Sequence, residues 1–255
     1  MSIPSIKLGE ALAPGAAHAR EVALALGVAC ETSGFCYITE HGISDDLLNA
    51  QFALARSAFE LPPRTRDGVV RTVTATAPEG KALHHAVDAH DAEASPLSDT
   101  LYECFDGDIG PVPPWSHAQT RAYALAMLRL SRRLMQLVAL SLELPEDTFD
   151  ELPGEPVSVL RMLRYPPCAG VHAHTDAQAL TVLAQDHHAG LEVQMDDGQW
   201  LPVEPREGAL IVHPGDALAR WTHGRYRSRA HRVRRSDEEP RLSIPFFYSP
   251  GILAQ

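Results

Sequence analysis

The chain has 255 residues, of which 45% are hydrophobic, enough for one domain with a buried core. Its formal net charge of −11 argues against a nucleic-acid partner. No signal pattern and no apolar run of transmembrane length occurs, so we expect no membrane partner. The scattered cysteines, which form no CxxC pair, indicate free thiols in a reducing compartment, and the expected location is cytoplasmic. These cysteines are Cys30, Cys36, Cys104 and Cys168.

The first 60 residues show strand and helix patterns in alternation. Residues 3–8 alternate as a short strand, and residues 16–33 carry apolar side chains at helical spacing. Residues 35–39 are aromatic and β-branched, which predicts a second strand. A second helix is predicted over 44–60, with a serine as its N-cap.

The middle of the chain has one irregular stretch and one clear helix. Residues 62–118 are interrupted by prolines and glycines, so we predict a loop region that includes a mobile lid over a pocket. Residues 118–144 have an apolar stripe at helical spacing, and Pro145 ends the helix. The stripe is expected to pack on a β-core.

From Val157 onward the pattern changes to short strands separated by Gly, Pro and Asp turns. Asp196-Asp-Gly198 is a hairpin signal between two of these strands. Many short antiparallel strands are typical of a sandwich or a jelly roll. The predicted strands span 157–164, 171–175, 179–184, 190–195, 200–203, 209–213, 217–221, 228–234 and 241–248.

The segment Val171-His-Ala-His-Thr-Asp176 carries the strongest chemical signal. His174 and Asp176 are two residues apart, so on a β-strand their side chains share a face. His231 from a second strand would complete a 2-His-1-carboxylate triad, which leaves coordination positions of a ferrous ion open. His172 has the same spacing to His174, and we interpret it as a contact to substrate or to a ligand.

Arg241-Leu-Ser243 follows His231 after ten residues. On a strand the guanidinium and the hydroxyl face the same side and can hold the far carboxylate of an oxo acid. The alternative interpretation is a surface arginine beside a solvated serine.

Taken together, these motifs resemble the 2-oxoglutarate/Fe(II)-dependent dioxygenases of the isopenicillin-N-synthase-like family. The resemblance implies a mixed α and β fold, with a double-stranded β-helix (jelly roll) core flanked by N-terminal helices. It divides the chain into an N-terminal region, 1–118, and a long helix with the jelly-roll core, 119–255, in one compact unit. The matching pieces are 34–43, 160–167, 174–176, 190–194, 221–228, 231–233 and 241–247.

The resemblance also assigns roles to single residues. It implies Fe(II), 2-oxoglutarate and O2 as cofactors, with ascorbate as a reductant in vitro. The carboxylate at Asp176 favours hydroxylation, desaturation or ring closure, because halogenating relatives carry a small residue there. The implied metal ligands are His174, Asp176 and His231, and the implied co-substrate contacts are Arg241, Ser243 and Tyr165.

Two positions are candidates for substrate contact. After His-Thr-Asp the family usually has a bulky residue and a glycine, whereas this chain has Ala177 and Gln178. Gln178 faces the metal by strand alternation. Arg229 faces inward if its strand begins that early, although it belongs to an arginine-rich run of the kind that is usually solvated.

The expected function is oxidation of a small molecule in specialised metabolism, with release of succinate and CO2, by a monomer or weak homodimer. One alternative is a 2-oxoglutarate-independent iron oxidase like isopenicillin N synthase. A second is a non-catalytic jelly-roll binding or sensor protein, and a third is a zinc hydrolase.

Overall fold

The computed structural model describes residues 2–60, 99–106, 117–153, 156–165, 167, 170–234 and 240–251. Within these ranges the helices pack against one side of a β-rich core. The α-helices are α1 (Ala19–Glu31), α2 (Asp45–Glu60), α3 (His117–Ser141) and α4 (Asp216–Trp221), preceded by a 3₁₀ turn at Gly9–Leu12. The strands are β1 (Ser5–Lys7), β2 (Cys36–Thr39), β3 (Asp99–Asp106), β4 (Val157–Tyr165), β5 (Val171–His174), β6 (Leu180–Gln185), β7 (Leu191–Gln194), β8 (Trp200–Pro202), β9 (Leu210–Pro214), β10 (His231–Val233) and β11 (Arg241–Ser249).

These strands form two sheets. The larger sheet has the order β1-β2-β9-β6-β11-β4-β3, and the smaller has the order β5-β10-β7-β8. Only the β1–β2 pair is parallel among the described strands; the other pairs are antiparallel. This arrangement is the jelly roll with flanking helices that the sequence predicts.

The larger sheet separates a helix-covered core from the interior of the jelly roll. Successive side chains of a strand point to opposite faces. On β6, Leu180, Val182 and Ala184 pack in the cluster that contains the helices, and on β9 Leu210 and Val212 do the same. The intervening residues of both strands therefore face the interior of the jelly roll.

A second apolar cluster joins the two sheets inside the jelly roll. Leu183 and Ile211 come from the larger sheet, whereas Leu191 and Val193 come from β7 of the smaller one. Phe35, just before β2, belongs to the same cluster. The N-terminal region thus contributes directly to the interior of the core.

Two local signals in the sequence, the serine N-cap of α2 and the Asp196-Asp-Gly198 hairpin, are confirmed by the structure. The Ser44 hydroxyl accepts a hydrogen bond from the Leu47 amide at 3.3 Å, which makes it the N-cap of α2. Gly34 has φ +68° and its amide bonds to the Ala29 carbonyl at 2.9 Å, closing α1. Gly198 has φ +80° in the hairpin between β7 and β8.

The predicted strand 217–221 is wrong, because this segment is the helix α4. The Asp216 amide donates to the Asp176 carbonyl at 2.7 Å, and the Ala217 amide donates to the carbonyls of Ala177 and Gln178 at 3.3 Å. These contacts satisfy the first amides of the helix, which lack partners within it. A tertiary contact therefore decides the structure of a segment too short to show a period.

Two further boundaries differ from the prediction. The irregular stretch contains β3, which pairs along its full length with β4. The strand predicted over 228–234 is shorter, since β10 begins at His231. The proposed lid lies mostly outside the described residues. Among the described helices, none is both long enough and apolar enough to cross a membrane.

Replacing Leu134 by alanine tests the helix-covered core. Leu134 lies on α3 and is fully buried. We expect Leu134→Ala to lower the free energy of unfolding by about 2–5 kcal/mol, because it leaves a cavity. Urea unfolding followed by circular dichroism measures the change. Leu24→Ala is the matched control, since Leu24 is 60% exposed on α1 and should change stability by less than about 0.5 kcal/mol. Equal effects of the two changes would contradict this packing.

Candidate metal centre and co-substrate pocket

Two histidines and one aspartate converge at the ends of neighbouring strands. His174 ends β5 and His231 begins β10, and the two residues are directly paired across these strands. Asp176 follows in the loop after β5. One nitrogen from each histidine and one oxygen of the carboxylate all lie within 4.8 Å of one another. The structure therefore brings together the three residues that the sequence selected.

Both imidazoles are oriented in the same way by the backbone. Nδ1 of His174 lies 2.9 Å from the carbonyl oxygen of His172, and Nδ1 of His231 lies 3.1 Å from that of Arg229. A carbonyl only accepts hydrogen bonds, so the proton of each neutral ring lies on Nδ1. The Nε2 lone pairs then face Asp176, at 3.9 Å and 3.6 Å from its Oδ1 atom.

Asp176 is a buried carboxylate that keeps its charge. Burial alone would raise its pKa, but the neighbouring His231, His213 and His174 and a hydrogen bond from Thr181 outweigh burial and lower the pKa to about 2. The Thr181 hydroxyl donates to Oδ2 at 2.5 Å. Asp176 therefore carries a negative charge at neutral pH, as a carboxylate that binds a metal must.

The loop that carries Asp176 is fixed against the start of α4 by Gly215. A Cβ atom at position 215 would stand 2.1 Å from the carbonyl oxygen of Gln178 and 2.8 Å from that of Asp176. Only glycine permits this approach, which in turn allows the Asp216 amide to bond to the Asp176 carbonyl. The Thr175 hydroxyl also donates to the Asp216 carboxylate at 3.0 Å.

His213 is part of this site, although the sequence analysis did not select it. It is 2% exposed at the end of β9, and its Nε2 atom lies 3.5 Å from Oδ2 of Asp176. The ring of Phe35 stacks on it at 4.3 Å between centroids. Burial lowers the pKa of His213 and so favours its neutral form. A single histidine in a strand is usually a core residue, so only its place in the fold reveals this contact.

Arg241 lies buried on the interior face of β11 with part of its guanidinium unpaired. One Nη2 hydrogen is donated to Oε1 of Gln185 at 2.9 Å, and Gln185 is held by the Val203 carbonyl at 3.2 Å. Among the described residues, Nε and Nη1 of Arg241 have no hydrogen-bond partner. Buried donors without partners are costly, so these atoms indicate a site for an anionic ligand.

Ser243 and Tyr165 border the same guanidinium. Ser243 is buried two residues along β11 from Arg241, on the same face of the sheet. Tyr165 on β4 is the cross-strand partner of Arg241, and the guanidinium carbon lies 5.1 Å from the centroid of its ring. The three predicted co-substrate residues thus lie next to one another.

The three candidates for substrate contact have different surroundings. The carbonyl of His172 orients His174, and its side chain is exposed. Gln178 is half-buried in the loop after β5, and its carbonyl bonds to α4. The structure describes no side-chain contact for either residue that tests a substrate role.

Arg229 precedes β10, so strand alternation does not turn it toward the metal site. Its guanidinium donates to the Thr32 carbonyl at 2.6 Å and to Asp196 at 2.8 Å. These contacts give Arg229 a structural role, and its contact with substrate stays a prediction.

The donor set fits ferrous iron and a 2-oxo dicarboxylate. Two imidazoles and one carboxylate around an open face are the ligands of non-haem Fe(II) oxygenases. The two Nε2–Oδ1 separations are 3.6 and 3.9 Å, and all three ligand atoms lie within 4.8 Å of one another, so a single ion could bind them together. The unpaired hydrogen-bond donors of Arg241 fit the carboxylate of the 2-oxo dicarboxylate that lies far from the metal.

Comparison with known proteins identifies the family. Residues 155–250 match the family model of the 2OG-Fe(II) oxygenase superfamily. Residues 3–100 match a second family model, described as "non-haem dioxygenase in morphine synthesis N-terminal". A 2-oxoglutarate-dependent dioxygenase of Didymella fabae is 32% identical over 98% of this chain and 86% of its own length. Gibberellin 20 oxidase 2 of Oryza sativa subsp. indica is 30% identical over 98% of this chain and 68% of its own length.

A solved structure shows the same fold. The dioxygenase for auxin oxidation in rice superimposes with a TM-score of 0.74 at 28% identity, over 96% of this chain and 82% of that one. The chain belongs to the 2-oxoglutarate/Fe(II)-dependent dioxygenases. It is accordingly an oxidoreductase that uses iron and 2-oxoglutarate.

Replacing Gly215 by alanine tests the loop that carries Asp176. The added Cβ would overlap backbone oxygens, so the 176–178 loop must move. We expect Gly215→Ala to weaken metal binding and to cost about 1–3 kcal/mol of stability. Isothermal titration with Co(II) measures the first effect and thermal unfolding the second. Gly198→Ala is the control, because a Cβ at that position meets open space. Its positive φ should lower the stability of the alanine variant by about 1–2 kcal/mol, and metal binding should stay unchanged. Wild-type metal affinity in Gly215→Ala would contradict the role of this glycine.

Proposed function

We propose that His174, Asp176 and His231 bind Fe(II) in this oxygenase, and that Arg241, Ser243 and Tyr165 hold 2-oxoglutarate. The observation that supports the metal assignment is the convergence of three ligand atoms within 4.8 Å. The co-substrate assignment is supported by two buried guanidinium donors without a partner among the described residues. A guanidinium and a hydroxyl on one face of a strand suit a carboxylate.

The protein contributes binding and orientation to the reaction. When bound, iron and 2-oxoglutarate supply the oxidising chemistry, in which O2 converts the co-substrate to succinate and CO2 and a C–H bond of the substrate is oxidised. The carbonyls of His172 and Arg229 orient both imidazoles so that Nε2 of each ring faces Asp176 and the proposed metal site. Gln185 fixes the guanidinium of Arg241 before 2-oxoglutarate arrives, which reduces the entropy lost on binding.

The substrate of the proposed reaction is a small molecule that is hydroxylated, desaturated or cyclised. Solved proteins with this fold hold small molecules; a full-length Neurospora crassa protein is solved in complex with alpha-KG and thymine, and with alpha-KG and 5-formyluracil. In this chain we propose Gln178, His172 and Arg229 as residues that influence substrate choice. Gln178 is the strongest of the three, because it lies two residues from Asp176 and its side chain has no other described role.

A 2-oxoglutarate-independent oxidase is the main alternative within the family's chemistry. The unpaired donors of Arg241 favour the 2-oxoglutarate-dependent reaction, because they leave a buried place for a second carboxylate. A non-catalytic binding protein would not need three metal donors with matched orientation. A zinc hydrolase is disfavoured because the donor set and the match to the 2OG-Fe(II) oxygenase family both favour iron.

We further propose that residues 1–118 and 119–255 fold as one unit. In support, β1 and β2 extend the sheet that contains β9, and Phe35 packs on His213. A monomer or weak homodimer without a nucleic-acid or membrane partner remains our expectation from the acidic composition. A cytoplasmic location is supported by the free thiols of Cys30 and Cys36.

Succinate release tests the reaction class and the metal ligands together. We expect the purified protein with Fe(II), 2-oxoglutarate and ascorbate to release succinate, faster with substrate, and a product heavier by one oxygen or lighter by two hydrogens. His174→Ala should abolish metal binding and succinate release, since it removes one ligand. His18→Ala is the control, because His18 is exposed on the surface before α1. Product formation without succinate would favour the oxidase alternative.

Replacing Arg241 by alanine tests the co-substrate pocket. Each lost charge-assisted hydrogen bond is worth about 1.5–3 kcal/mol, so we expect at least a roughly tenfold rise in the KM for 2-oxoglutarate. Metal affinity should stay at the wild-type level. Arg129→Ala is the control, since Arg129 lies on α3 and its side chain is outside both proposed sites. An unchanged KM in Arg241→Ala would show that the carboxylate binds elsewhere.

A further inference from the structure

The two oxygens of Asp176 have different surroundings. Oδ1 faces the imidazoles of His174 and His231, at 3.9 Å and 3.6 Å from their Nε2 atoms. Oδ2 faces the other way, toward the hydroxyl of Thr181 at 2.5 Å and Nε2 of His213 at 3.5 Å. Thr181 therefore donates a hydrogen bond to the carboxylate from behind, and the ring of His213 borders the same oxygen. Both residues belong to neither the proposed ligand set nor the co-substrate pocket.

Thr181 and His213 lie side by side on the larger sheet. They are direct cross-strand partners on β6 and β9, so their side chains lie on the same interior face. Both are only 2% exposed. The stacked ring of Phe35 limits rotation of the His213 imidazole, whose Nδ1 atom lies 3.3 Å from the Pro214 carbonyl.

We propose that Thr181 and His213 are positioning residues that make Asp176 a ligand through Oδ1 alone. This inference rests on the proposed metal site. A hydrogen bond to Oδ2 opposes rotation of the carboxylate into a two-oxygen chelate. A site of two histidines and one carboxylate would leave coordination positions of a bound ion open for the co-substrate and O2. If Asp176 bound through both oxygens, it would take one of these positions, so the pair would keep it open.

The geometry separates this role from that of a fourth metal ligand. Nε2 of His213 approaches Oδ2, whereas the proposed ligand nitrogens approach Oδ1. His213 thus borders the carboxylate oxygen that the proposed ligand nitrogens do not face. Hydrogen-bond partners of this kind typically change metal affinity by about 10–100-fold when they are removed.

Co(II) binding to the full-length, metal-free protein tests the proposal without reference to activity. The variants are Thr181→Val, which is isosteric and removes only the hydroxyl, and His213→Phe, which retains a ring to stack on Phe35. We expect each to weaken Co(II) binding by about 10–100-fold and to shift the visible absorption of the bound Co(II), because the ligand geometry changes. Thr181→Ser retains the hydroxyl and should restore both properties.

Matched controls distinguish this effect from general damage to the core. Thr120→Val and His41→Phe are the same changes at buried positions outside the site; Thr120 lies on α3 and His41 follows the far end of β2. Both should bind Co(II) as the wild type does. If His213→Phe does not fold, Thr181→Val with its serine rescue carries the test alone.

The outcomes separate this inference from the metal site itself. Wild-type Co(II) affinity and spectrum in Thr181→Val would overturn the positioning role. The same result in Asp176→Ala would instead overturn the proposed metal site. Complete loss of Co(II) binding in His213→Phe, equal to that in His174→Ala, with Thr181→Val unaffected, would make His213 a ligand and would also overturn the proposal.

Discussion

The site depends on a buried negative charge. Asp176 is 6% exposed, and an uncompensated carboxylate at that depth would cost several kcal/mol. The Thr181 hydroxyl donates a hydrogen bond to this carboxylate, and the rings of His174, His213 and His231 surround it, so its neighbours come from four different strands. Stabilising one carboxylate therefore requires both sheets to close correctly around it. A bound divalent cation adds to the same balance, which links folding of the site to its chemistry.

The two-residue period of the strands separates stability from function. On β6 and β11, one set of side chains packs under the helices in a large apolar cluster. The alternate set includes Thr181, Gln185, Arg241 and Ser243, which line the interior of the jelly roll. Each strand thus has apolar, core-forming side chains on one face and polar side chains on the other. A shift of one residue in register would exchange the two faces, so the helix-side packing also fixes the site.

The sequence predicted the fold class and the three converging residues, because periodicity and donor types are local properties. The spacing of His174 and Asp176 nevertheless predicted one continuous strand, whereas β5 ends at His174 and the loop that follows is held by α4. That same contact explains why 217–221 is a helix and not a strand. Residues whose structure depends on a distant partner carry no signal in their own spacing.

The contacts to Asp176 were not predictable for a related reason. Thr181 and His213 are 32 positions apart and meet only because β6 and β9 are neighbours in the sheet. Each of them alone resembles an ordinary strand residue. Arg229 illustrates the opposite case, since its position near His231 suggested a functional contact, whereas its side chain bonds to Thr32 and Asp196.

The contacts of Arg229 show how the N-terminal region supports the metal site. Its guanidinium is fixed to the carbonyl after α1, and the Arg227 amide bonds to the Cys30 carbonyl at 3.0 Å. Gly34 has no side chain to obstruct Arg229 at this point. The backbone carbonyl of Arg229 in turn orients His231. Because the end of α1 holds the segment that leads into β10, the orientation of a proposed metal ligand depends on a helix from the first region of the chain.

Phe35, which lies between α1 and β2, is a second contact of this kind, because its ring stacks on His213. The N-terminal region therefore supports the proposed metal site through these contacts and is not only a cover for the jelly roll.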